Sequence, residues 1–156
     1  FLSALFGVLV MPMFARMDAG TFALRYRWAV AATLLLATLL SAAAFVLPEP
    51  LLWLLGPRYV HLLQEVPYMV LAGALGFASG ALWSIHAARK WVFWRATAFY
   101  IASVLATQFV FVATVDLGST LNVVLMTVAS NFAGLLAQGL VARLGLRQDD
   151  ARMNQT

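Results

Sequence analysis

The groups in this chain able to do chemistry are few, and their spacing restricts what they can do. His61 and His86 are the only histidines and the cysteine count is zero. A long apolar run separates the two imidazoles, so they cannot converge on a metal ion or pass a proton directly. The carboxylates Glu49, Glu65 and Asp116 all fall between apolar runs, so none sits where an ion-coupled pump keeps an intramembrane acid. Gly73, Gly76 and Gly80 lie within an apolar run instead of between a strand and a helix, which excludes a phosphate-cradling loop. These patterns predict no catalytic set, no cofactor and no metal; the chain is not expected to be an enzyme.

What remains is hydrogen bonding and close packing. Gln108, Asn131 and Gln138 place amides inside apolar runs, where an unsatisfied polar group is costly, so each must face protein or a hydrated cavity. Two roles are open to them: lining a substrate path, or bonding a neighbouring helix. Ala72, Gly76, Gly80 and Ser84 recur every four residues, and a comparable stripe runs through Ser130, Gly134 and Gln138. Such small-residue faces let helices approach closely, either as a fixed packing seam, the commoner use, or as a surface on which helices slide. His86 could sense protons, but its place beside Arg89 fits an interfacial residue better.

The elements that would position these groups are transmembrane helices. The composition is 63% hydrophobic and 10% charged, with a mean hydropathy of +0.90, whereas soluble domains are roughly half apolar. Uncharged runs at 28–47, 67–86, 96–115 and 123–142 each match the roughly 20 residues needed to cross a bilayer. Residues 1–14, ending in Met11-Pro12-Met13, read as the tail of a truncated helix, and the chain as a piece of a longer one. Residues 16–27 read as a short polar loop. The segment 51–65, opened by Pro48-Glu49-Pro50, carries an apolar run too short to cross and should lie flat at the interface. Residues 87–95 read as a turn in which Trp91, Phe93 and Trp94 form an aromatic belt. The expected fold is an all-α integral membrane bundle over 1–147, with a polar, frayed tail at 148–156.

Charge predicts orientation. Of the ten Lys and Arg residues, Arg16, Arg25, Arg27, Arg89, Lys90, Arg95, Arg143, Arg147 and Arg152 fall on one side of this topology, leaving Arg58 opposite. Basic loops resist translocation, so that side and the C-terminus are expected to be cytoplasmic. The net charge of +4 is therefore a topological signal and not a nucleic-acid footprint, which would cluster on one solvated face with aromatics between.

The order of features resembles the polysaccharide and lipid-linked oligosaccharide flippases of the multidrug/oligosaccharidyl-lipid/polysaccharide exporter superfamily. The resemblance rests on Met11-Pro12-Met13-Phe14 before a basic loop, a helix running into Leu51-Leu52-Trp53-Leu54-Leu55-Gly56-Pro57-Arg58-Tyr59, and three further helices. It implies a two-lobed transporter in the bacterial cytoplasmic membrane that moves a lipid-linked saccharide by alternating access, as in the export of polysaccharide or O-antigen precursors. This chain would be most of its second lobe, partnered by an N-terminal lobe of the same chain and by membrane lipid. The family's substrate-facing cations have no match here. Alternatives are a multidrug or cation antiporter of the same superfamily, which would need a buried carboxylate, and a small membrane scaffold using its Gly76 and Gly134 faces. A membrane-embedded glycosyltransferase would need convergent outward acids that Glu49, Glu65 and His61 do not supply.

Overall fold

The computed structural model describes residues 19–88, 90–91 and 94–153, which hold helices and no strand. The elements are α1 (Ala19–Val46), a short α2 (Pro48–Leu55), a 3-10 turn (Pro57–Leu62), α3 (Val66–Ala88), α4 (Trp94–Thr114) and α5 (Thr120–Met153). Four of these helices are long and apolar enough to cross a membrane, over Thr21–Val46, Val66–Ala88, Trp94–Thr114 and Thr120–Arg147. The predicted partial helix at 1–14 and the cations Arg16 and Arg89 lie outside the described residues.

Two boundaries differ from expectation. Residues 19–27 continue α1 and do not form a loop, so Arg25 and Arg27 project from a helix. Arginine is a good helix former, and burial of Tyr26 between those cations and of Phe22 one turn earlier gives the first turns an apolar face to hold. At the other end the backbone of α5 is helical to Met153, where a frayed tail was expected from 148 onward. Gly145 lies inside that helix and does not end it, and no proline follows.

Chain direction alternates from one long helix to the next, so α3 and α5 run parallel while α1 and α4 oppose them. Side by side the order is α1, α3, α5, α4: α3 packs on α1 and α5, and α4 packs on α5. Away from the Phe22–Trp91 end the interior is made largely of small side chains, among them Ala37, Ala44, Ala74 and Ala78, whereas Leu35, Leu39, Phe109 and Val110 point outward. Small inside and large outside is how helices pack where lipid, not water, surrounds them. The hydroxyls of Thr33, Thr38, Ser41, Ser103, Thr107, Thr114 and Thr127 each donate to the carbonyl four residues earlier in their own helix. Their polarity is thereby satisfied without a partner.

The corners are built locally. Pro48 occupies the first turn of α2, where a missing N–H costs nothing. Gly56, at φ 98°, closes α2 in a conformation that side chains resist, and Pro57 starts the 3-10 turn. An eight-residue helix is only about 12 Å long and cannot cross a bilayer. Between α4 and α5, Asp116 Oδ1 accepts the Gly118 N–H at 2.9 Å and the Asn122 amide donates to the Asp116 carbonyl at 2.7 Å.

The best-packed region lies at the end where α1 begins and α3 finishes. Phe22, Tyr26, Leu82, Ile85, Trp91 and Ala142 form one buried cluster. Phe22 stacks on Tyr26 and meets Trp91 edge-on, with centroids 5.6 and 5.4 Å apart. The Tyr26 hydroxyl and His86 Nε2 are hydrogen-bonded at 3.0 Å. Trp91 is therefore core, contrary to the expectation of an aromatic belt, because the turn folds it inward. The Trp91 N–H bonds the His86 carbonyl at 2.9 Å and the Lys90 N–H the Ala87 carbonyl at 3.1 Å, the pair of bonds that defines a Schellman motif. Lys90 sits at φ 58°, the left-handed position such a motif usually gives to glycine. Trp94, by contrast, is exposed at the start of α4. Replacing Lys90 with glycine should therefore stabilise the fold by about 1 kcal/mol, seen as a raised thermal unfolding midpoint in detergent.

Candidate functional site

The amides of α5 determine where the polar site lies. Asn131 Nδ2 donates to the Ala72 carbonyl at 2.9 Å, and Gln138 Nε2 donates to the Ser79 carbonyl at 2.9 Å and to Ser79 Oγ at 2.7 Å. Both pairs are separated by 59 residues, so the parallel helices stay in register from 72 to 79 and from 131 to 138. One heptad of constant offset is the geometry of a left-handed helix pair. Ser130 and Ala137, next to the amides, are buried.

A cavity of about 340 Å³ opens beside this seam, lined by Gly76, Ser79, Gly80, Trp83, Tyr100, Asn131 and Gln138. Its volume is at the small end of the ligand-site range, roughly 300–1,000 Å³. No lining residue is charged. The Trp83 and Tyr100 rings lie 5.7 Å apart at 43° and give it aromatic surface, and the amides and hydroxyls give it donors and acceptors. Gln138 is 2% exposed, and its Oε1 is buried without a donor. Exchanging its oxygen and nitrogen would set an acceptor against the Ser79 carbonyl, so the Nε2 bond to that carbonyl fixes the amide as it stands. The site can thus grip a neutral, hydroxyl-bearing group by hydrogen bonds along one edge and by ring faces on another.

The glycine stripe takes a different form from the one expected. Gly76 admits a side chain: a Cβ there would lie 3.3 Å from Asn131 Nδ2, so glycine leaves the Ala72 carbonyl open to that amide. Gly80 meets nothing within 4 Å and is exposed toward the cavity, so no helix is seated on it. Ala72 is buried at the seam, and the Ser84 hydroxyl bonds the Gly80 carbonyl at 2.9 Å. On α5 the Ser130 hydroxyl bonds the Met126 carbonyl at 2.8 Å, and Gly134 accommodates the Tyr100 ring, whose Cε2 would be 2.8 Å from an added Cβ.

Of the three predicted cavity amides, Asn131 and Gln138 line this site and Gln108 does not. Gln108 is half-buried on α4, away from the seam. Ser79, Trp83 and Tyr100 complete the lining without having been singled out for it. A phenol inside an apolar helix was the available signal for Tyr100, and the matched spacings 72 to 79 and 131 to 138 were the signal for Ser79. A larger hollow of about 450 Å³ lies beneath α2 against Leu52, Trp53, Val60 and Leu63, with Glu49 at its edge, but its lining is almost wholly apolar. His61 is exposed on the 3-10 turn at the end opposite His86, and among the described residues no cluster of metal-ligating side chains forms.

Comparison of the chain with protein-family models, with curated proteins and with solved structures finds no match.

Gly134→Ala should push the Tyr100 ring out of place and cost about 1–3 kcal/mol. Most of that loss should vanish when Tyr100 is also alanine, which a double-mutant cycle of thermal stability would read as a coupling between the two positions.

Proposed function

We propose that this chain is an integral membrane protein, and more particularly most of the second lobe of a transporter that passes a lipid-linked saccharide across the bacterial cytoplasmic membrane by alternating access. The observation that carries the reading is the uncharged cavity between α3, α4 and α5, lined by two amides, a serine and two aromatic rings, within helices of membrane-spanning length. A sugar headgroup cannot dissolve in hydrocarbon, so moving it needs a hydrated, hydrogen-bonding surface between helices and no covalent chemistry. Neutral amides and ring faces match hydroxyls and the apolar face of a sugar ring, whereas an ionic drug would call for a charge on the lining. The resemblance of the chain's pattern to lipid-linked oligosaccharide flippases points the same way. On this reading the end bearing Arg25, Arg27, Lys90, Arg95, Arg143 and Arg147 is cytoplasmic, as is the C-terminus.

Gln138→Leu is the informative variant. It removes the donors to Ser79 together with the unpartnered Oε1, and interhelical hydrogen bonds in membrane proteins average only about 0.6 kcal/mol, so stability should fall by less than about 1 kcal/mol. Transport of the lipid-linked saccharide by the intact protein in proteoliposomes should nevertheless drop at least about tenfold, a loss of about 1.4 kcal/mol in a productive interaction. Turnover equal to that of the parent protein would remove the cavity from the transport path.

A further inference from the structure

The basic residues of this bundle are gathered at one end. Arg25, Arg27, Lys90, Arg95, Arg143 and Arg147 are all exposed. They share one end of the bundle, because the cluster of Phe22, Tyr26, Ile85, Trp91 and Ala142 ties the start of α1, the finish of α3 and the late turns of α5 together at that level. Arg25 and Arg27 flank the buried Tyr26 on either side of α1, Arg143 and Arg147 stand one turn apart on α5, and Lys90 follows α3. The described carboxylates with placed side chains, Glu49, Glu65 and Asp116, are all at the opposite end. None of the six cations is paired with these three; by sequence Asp18, Asp149 and Asp150 belong to the same side as nine of the ten Lys and Arg residues, and the balance there is still strongly positive.

Two further observations say what meets that field. Trp28 and Trp94 are 70% and 78% exposed at the same end, and tryptophan with one face wet and one apolar belongs at headgroup depth. Lys90, exposed in the left-handed position at φ 58° that follows α3, adds its charge at the same level.

We propose that these six cations form a collar that binds the headgroups of anionic phospholipids. Clusters of four to eight basic residues at the membrane surface attract anionic lipid, with about 1 kcal/mol per cation near the surface, or about fivefold in affinity. Arginine guanidinium groups engage phosphate oxygens in bidentate fashion, and the exposed indoles pack against the glycerol and upper acyl region of the same lipids. The proposal requires the bundle to lie in a bilayer and is independent of what the cavity carries.

The test uses the intact protein in mild detergent, with native mass spectrometry after exposure to an equimolar mixture of phosphatidylglycerol and phosphatidylcholine. Retained phosphatidylglycerol should exceed phosphatidylcholine at least about fivefold. Arg25→Gln, Arg27→Gln, Arg143→Gln and Arg147→Gln combined should bring that ratio toward unity, and lysine at the same four positions should largely restore it. Thermal midpoints should rise with phosphatidylglycerol and not with inorganic phosphate. Equal retention of the two lipids by the parent protein, or undiminished preference in the glutamine variant, would overturn the collar. An equal rise with inorganic phosphate would assign the site to soluble anions instead. If the glutamine variant does not fold, the lipid ratio on the parent protein decides the matter alone.

Discussion

Everything in the bundle is organised by the seam between α3 and α5. Two amides on one helix donate to backbone carbonyls on the other, Asn131 to Ala72 and Gln138 to Ser79, one heptad apart on each. In an apolar surrounding a side-chain amide has few other partners, so this pairing sets rotation and register together. Gly76 exists to let the first amide through, and Gly134 to let Tyr100 close the far wall. Once the register is set, α1 packs its alanines against the other face of α3, and α4 settles on α5.

The same seam creates the cavity. Polar groups gathered for packing leave one atom, Gln138 Oε1, without a donor, and a buried acceptor in that state is costly to keep. Natural folds retain such groups where something else gains by them. Around it stand Trp83 and Tyr100, whose rings come from different helices and meet only because α4 lies against α5. The helix seam and the cavity lining are thus supplied by one set of residues.

The four long apolar helices were legible because hydropathy and length act over some twenty residues, and no local detail overturns them. What the residues hid were consequences of tertiary geometry. The start of α1 was misplaced because Arg25 and Arg27 look like loop residues until Tyr26 between them is seen to be buried. Trp91 looked interfacial beside its basic neighbours; its burial depends on the left-handed turn at Lys90, which no composition rule foretells. Gln108 and Gln138 were equivalent as sequence, both amides amid apolar residues. Only the side-by-side order α1, α3, α5, α4 separates them, placing one at the seam and leaving the other half-buried on an outer helix.

That order also bears on how such a chain is made. Thr33 and Ser41 of α1 and Ser103 and Thr107 of α4 satisfy their hydroxyls within their own helices, so these groups need no neighbouring helix to be in place first. Helix α5 differs: Asn131 and Gln138 find their acceptors on α3, synthesised well before it. During translation α4 comes between them in time but not in space, since its neighbour is α5 and only Ala96 of its side chains is buried. A nascent chain must therefore hold α3 within reach, with α4 parked aside, until α5 emerges and slots between them. Assembly is gated by the arrival of α5, and a chain interrupted before residue 131 would leave uncovered the face of α3 that carries the Ala72 and Ser79 carbonyls.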